Sequence, residues 1–412
     1  MNVDELVRDA LREQAAELAA PGPGFADRVL AVRRRRRTRR LVSVAAATTA
    51  VVAVAVGVPL LDTGKEEVRP AAVLDGNGVL AHPDQSPPRD LIAAGRSVLA
   101  AYYTAEPAVR SDDRAALTRT YWLLDPETGR YEKDDRWSFV AVAPGARTAA
   151  VLERELPARR IGILDLATGR VDRWIPVDRG VGGLAFSRDG GRLVATTYGE
   201  HPDLMVRMKA GQKEGFPADE VWVPQFSGKS SRSGFYVLDV ADGKGAWSPV
   251  AKRRDVNGRQ DFAFSREGRL LYAQVIGGSD GMQQFYDLAG NEVAAPADER
   301  HLRSDVGARL SPDGSLAALG LTAEAKDKSW SEIRDPRTGK EVARVRGAEL
   351  LAWVDDRRLI AWERAPGPGE YRPRLVLVTI GSEKVVPLSG VREPDDYLET
   401  VEWQPVFVER RV

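Results

Sequence analysis

The sequence predicts an all-β fold, a six- or seven-bladed β-propeller preceded by a short cytoplasmic helix and one transmembrane helix. Three observations carry that prediction. A strand-and-turn pattern recurs with a period near 44 residues through the C-terminal three quarters of the chain. An uncharged run of 21 residues spans 41–61, directly after the basic stretch RRRRRTRR at 33–40. The 412 residues include no cysteine, so any exported domain must stand on its own core.

The first element, 1–40, reads as an amphipathic segment with a basic end. Val3, Leu6, Val7, Ala10, Leu11 and Leu18 recur at roughly helical spacing until Pro21-Gly22-Pro23-Gly24 stops the helix. Such a helix is expected to lie on anionic lipid, with the arginine cluster as its anchor. Docking onto a cytoplasmic partner is the rival expectation.

The second element, 41–61, is long enough to cross the hydrocarbon layer at about 1.5 Å per residue. It is too long, and starts too far from the N-terminus, for a cleaved secretory signal. The Arg39-Arg40 pair is followed by Leu41-Val42-Ser43, a poor twin-arginine tail. The basic flank is expected to stay inside. The protein is therefore expected in the cell membrane, single-pass, with its N-terminus cytoplasmic and 62–412 extracytoplasmic. A linker at 62–70 leads into the propeller, 71–412.

Each repeat opens with a short apolar strand and a tight turn. The clearest are Leu184-Ala-Phe-Ser-Arg-Asp-Gly190, Phe262-Ala-Phe-Ser-Arg-Glu-Gly268 and Ala308-Arg-Leu-Ser-Pro-Asp-Gly314. A second strand follows, then a third that ends in a polar turn such as Leu123-Leu-Asp-Pro-Glu-Thr-Gly129 or Ile163-Leu-Asp-Leu-Ala-Thr-Gly169. Asp and Gly suit such turns because one caps backbone N–H groups and the other accepts positive φ. Ser265 to Ser311 is 46 residues, Ser311 to Val354 is 43, and Ala143 to Ser187 is 44. Four strands in that span make a propeller blade. Ser187 to Ser265 is 78 residues, one blade plus an insertion of about 34. Six units are counted, the first (about 97–130) the weakest; Val401–Pro405 is expected to open a further one, completed by 72–74 and 78–81, or else the termini patch an existing unit and the count stays at six.

These turns resemble the TolB-type bacterial propeller repeats, whose units carry Ser-Pro-Asp-Gly. Ser311-Pro312-Asp313-Gly314 matches fully; Ser187–Gly190 and Ser265–Gly268 match in part. The resemblance covers about 95–405 and implies architecture only. A WD-repeat-like unit fits less well, since the chain has no Gly-His and no Trp-Asp dipeptide. The excess of Arg over Lys fits a high-GC bacterial genome. The layout is similar to that of actinobacterial anti-sigma proteins, without their His/Cys zinc motif.

Charge excludes little but is informative. Residues 1–40 hold ten Arg against six acids, and 62–412 hold 50 basic residues against 54 acids. A mixed, slightly acidic outer domain makes no electrostatic case for nucleic acid. No cofactor and no metal are expected; His82, His201 and His301 are too scattered for a metal site. Gly277-Gly-Ser-Asp-Gly281 fits G-x-S-x-G, but no helix and no hydrolase domain surround it. No catalytic residues are assigned.

The loops between second and third strands are the longest: 104–120, 153–160, 199–234, 277–284, 322–331 and 363–373. Recognition on a rigid scaffold usually uses such loops. The insertion 199–234 holds the candidate ligand-binding residues His201, Arg207, Phe216, Trp222 and Phe226, beside Met205 and Met208. Its aromatics and Arg suit either interface anchors or a small satellite core. The leading expectation is a non-enzymatic, membrane-anchored platform for a protein or cell-envelope ligand. A hydrolase or lyase with a loop-face site, and a transmembrane signalling protein, are the alternatives.

Overall fold

The computed structural model describes residues 78–208, 221–225, 231–251, 259–274, 283–325, 328–365, 372–392 and 401–410. The expected helix, transmembrane segment and linker lie outside the described residues, as do Phe216, Phe226 and the 277–281 motif. Among the described residues no helix is long and apolar enough to cross a membrane.

The fold is all-β, built from antiparallel sheets in which sequence neighbours pair. Taken four strands at a time, the pairings trace successive units. The first unit combines Val401–Glu409 with Ser97–Ser111, Arg114–Asp125 and Arg130–Asp134. The second runs Trp137–Val142, Thr148–Glu153, Ala158–Asp165 and the first half of Arg170–Phe186. That long strand passes without a break into the third unit, which continues with Arg192–Tyr198, Arg232–Asp239 and Gly245–Pro249. The fourth unit is Ala263–Phe264, Leu271–Gln274, Gln283–Tyr286 and Glu292–Val293. In the fifth, a single bridge from Leu310 to Ala317 stands for the opening strand. Ala317–Ala325, Lys328–Arg334 and Glu341–Arg346 follow it. The sixth is Glu349–Trp353, Arg358–Arg364, Pro373–Thr379 and Val385–Val391.

The central strands are buried on both faces. Ala149, Ala150, Val151 and Leu152 are consecutive and all 0% exposed, so a sheet must lie against each side of theirs. The hydrophobic clusters show which sheets these are. One cluster joins the first unit to the second and sixth, another the second to the third, another the third to the fourth, and another the fifth to the sixth. At the joint between first and sixth, Trp403 meets Trp362 at 4.9 Å between ring centres and Tyr102 at 5.7 Å, both edge-on. Edge-on geometry is the favoured one for aromatic pairs.

The repeated serine has a structural task. Ser187, Ser265 and Ser311 are each buried, and each hydroxyl accepts the N–H of the residue five positions on: Arg192, Leu270 and Leu316. The Ser311 hydroxyl donates to Asp313 at 2.6 Å, and Gly314 closes the turn at φ +80°. An L residue there would be strained, and its Cβ would also meet the Arg266 guanidinium.

Two expectations need correction. Val401–Glu409 does not open a separate unit completed by 78–81; it pairs with Ser97–Ala105 and supplies the missing first strand of the unit thought weakest. Val79–Leu80 pairs instead with Ala93–Ala94, and the bridge from His82 to Ser389 ties this segment to the outer strand of the sixth unit. The spans 104–120 and 322–331 are also not loops. They are continuations of paired strands, Ser97–Ser111 with Arg114–Asp125 and Ala317–Ala325 with Lys328–Arg334. Alternation is weak in both hairpins, which hid them.

Candidate functional site: a cleft on the loop face

The antiparallel meander sorts the connections onto two faces. The serine turns and the Asp–Gly turns share one, here the turn face. The hairpin ends between second and third strands share the other, the loop face.

On the loop face the insertion folds into strands. Leu204–Met208 pairs with Val221–Pro224, and Leu204, Met205 and Val206 pair with Ala116, Ala115 and Arg114. The insertion leaves the third unit and joins the sheet of the first. Met205 and Val223 are buried, whereas Arg207 is exposed and its guanidinium lies 5.0 Å from the centre of the half-buried Trp222 ring. Arg207 and Trp222 face each other in register, a cation–π pair on an outer surface.

The root of the insertion is held by charge. Asp203 accepts from Arg119 at 2.7 and 3.3 Å and from Arg259 at 2.7 and 2.6 Å. Arg259 also donates to Asp261 at 2.6 Å and to the Gly182 carbonyl at 2.8 Å. Tyr198 donates to Asp261 at 2.8 Å. Burial alone would raise the Asp203 carboxyl, but the two guanidiniums hold it well below the usual carboxylate range. This network links strand ends from the first, third and fourth units with the insertion.

Beside it lies a cleft of about 430 Å³. Ala108, Arg110, Leu117, Thr118 and Arg119 from the first unit form one wall. Ser138, Arg154 and Glu155 of the second unit and His201 of the insertion complete the lining. His201 is half-buried, and its Nδ1 accepts the Asp203 N–H at 3.1 Å, which leaves Nε2 as the proton-bearing nitrogen of the neutral ring. Burial pushes its pKa down.

Of the candidate residues, the structure therefore puts His201 in the cleft and places Arg207 with Trp222 on the strand pair outside it. His301 sits elsewhere, its ring against Gly339 in a turn-face loop. Among the described residues no group of three His, Asp or Glu is arranged to hold a metal. Sequence reasoning missed Asp203, Arg119 and Arg259, whose partnership spans 140 positions and leaves no local pattern. It also missed Arg110 and Arg154, since both stand in charged stretches that read as solvated.

On the turn face, arginines tie the units together. Arg266 donates to the Ser311 and Pro312 carbonyls of the next unit at 2.8 and 2.6 Å, and Arg192 to the Gly268 carbonyl at 2.7 Å. Arg188 reaches the Pro312 carbonyl at 3.3 Å and Glu409 at 3.6 Å. Arg in place of Pro in the partial Ser-Pro-Asp-Gly copies thus serves as a clamp between units.

No protein-family model matches the chain, and no curated protein matches it. Among solved structures it is similar to TolB from Acinetobacter baumannii, with 16% identity and a TM-score of 0.34 over 71% of this chain and 65% of that one. It is also similar to hydrazine synthase of Kuenenia stuttgartiensis, at 13% identity and a TM-score of 0.31, over 60% of this chain and 65% of that one. Hsv2 of Kluyvelomyces marxianus matches at 14% identity and a TM-score of 0.31, over 67% of this chain and 95% of that one. The chain spans less than two thirds of the length of the first two. The fold assignment rests on the strand pairing and the stacked sheets.

Proposed function

We propose that the protein is a membrane-anchored, extracytoplasmic binding platform: a six-bladed ring, closed by its C-terminal strand, that presents its loop face to a cell-envelope ligand. One observation carries the reading. Residues 203–206 of the third unit's long insertion are paired with the first unit and fastened there by a buried ion network, next to a cleft. Holding Leu204–Met208 and Val221–Pro224 as a paired strand extension costs conformational entropy, and a preorganised recognition surface is what such an outlay gains. The anchor reading is supported by the uncharged run 41–61 and its basic flank. A binding role, and not catalysis, suits a site whose one histidine uses Nδ1 to accept a backbone N–H.

The test is co-purification from membranes with a tagged full chain. Replacing 206–224 by a short Gly-Ser link keeps Asp203 and its network while removing the projecting strands. Capture should be lost in that variant and retained when the turn face is altered by Arg337→Glu. Equal capture by both would sink the reading.

A further inference from the structure

The charges around the cleft do not cancel. Arg119 and Arg259 are matched by Asp203 and Asp261, and Arg110 pairs with Glu155 at 3.2 Å. Arg154 is exposed and donates at 2.6 Å to the Asp135 carbonyl and at 3.5 Å to that of Arg119, and among the described residues no carboxylate pairs with it. Its charge is therefore the surplus of the cleft. The Arg110–Glu155 pair is exposed, so it is weak and open to exchange. The neutral His201 ring adds a donor in Nε2, while the Thr118 hydroxyl on the same wall donates to the Glu106 carbonyl at 3.1 Å.

We infer that the cleft binds a compact oxyanion-bearing ligand, a carboxylate or phosphate on a sugar-sized group, with Arg154 as the principal charge and Arg110, Thr118 and His201 around it. Planar guanidiniums match such groups with paired hydrogen bonds. Two features favour a compact ligand over an extended peptide. The volume falls in the range of small-ligand sites. The strand edge that a peptide would need, 114–117, is already occupied by 203–206. This inference rests on the binding-platform reading and names the chemistry of its ligand.

The experiment is calorimetric titration of the detergent-extracted full chain at low salt with sodium glucuronate, inorganic phosphate, glucose and a hexaglutamate peptide. Glucuronate or phosphate should bind, and whichever is tighter identifies carboxylate or phosphate as the group read; glucose should not. Arg154→Gln should weaken binding about tenfold or more, a loss of one charge-assisted pair. Glu155→Gln should strengthen it severalfold by freeing Arg110. Arg303→Gln, at a half-buried arginine between the fourth and fifth units that pairs with Asp305, should change nothing. Failure of both anions to bind, unchanged affinity in Arg154→Gln with a native melting curve, or tighter binding of hexaglutamate would each overturn the inference. Membrane co-purification run in parallel separates the two readings. Ligand capture without oxyanion binding defeats only the inference; oxyanion binding without capture defeats only the platform.

Discussion

Arg119 donates to Asp203 through both terminal nitrogens, at 2.7 and 3.3 Å, with both side chains buried. This contact fastens a segment of the third unit onto the first. Arg259 shares the same carboxylate, so the acid balances two cations.

Asp203→Asn should therefore strand the Arg119 guanidinium without compensating charge and leave Arg259 to Asp261 alone. A loss of about 3–5 kcal/mol is expected, the usual result of removing one partner from a buried pair. Thermal unfolding followed by circular dichroism checks it.

The same carboxylate sets a pH dependence. Its folded pKa lies below the unfolded one, so its contribution is complete above the ordinary value of 3.8 and is lost as pH falls beneath that. Wild-type stability should decline steeply below about pH 4, and Asp203→Asn should decline less. His201 acts in a higher window. Burial lowers its pKa below the ordinary 6.5, so its contribution is present above 6.5 and fades as pH drops through the folded value. Denaturant midpoints measured from pH 3 to 8 separate the two.

The serine turn makes a spectroscopic prediction. The Ser311 hydroxyl, followed by the Ser315 N–H, holds Asp313 down at about 2. Ser311→Ala should move that carboxyl back toward 3.8, as read by NMR titration. It should also destabilise the fold by about 1 kcal/mol, because the half-buried Leu316 N–H loses its acceptor.

Ring closure is testable at Trp403, which is 0% exposed between Tyr102 and Trp362. Trp403→Ala should cost about 3–5 kcal/mol, as large aromatic truncations in cores do. A value below 1 kcal/mol would mean that the C-terminal strand is not part of the core.

How far the fold was legible follows from where its signals are local. The Ser187, Ser265 and Ser311 turns are short patterns tied to one backbone geometry, so their spacing exposed the units. The choice between a new unit and a patched one stayed open for the C-terminal strand because pairing Phe407 with Leu99 spans 308 positions, and nothing local encodes it. The same holds for the site. His201 drew notice as a rare residue in an apolar insertion, whereas Arg154 looks like any surface arginine until the fold sets it beside Arg110 and His201. Arg207 and Trp222 were noticed together, and their pairing across two strands accounts for both.

The membrane expectation is checked by fractionation. The full chain should sediment with membranes and resist carbonate extraction, and a chain starting at residue 62 should not.

The most direct test of the loop face as the recognition surface uses photo-crosslinking in living cells. A crosslinker placed at Val109, 63% exposed on the loop-face overhang, is compared with one at Val342, 55% exposed on the outer strand of the fifth unit. The account predicts ligand adducts from position 109 and none from 342. Adducts from 342 with none from 109 would contradict it.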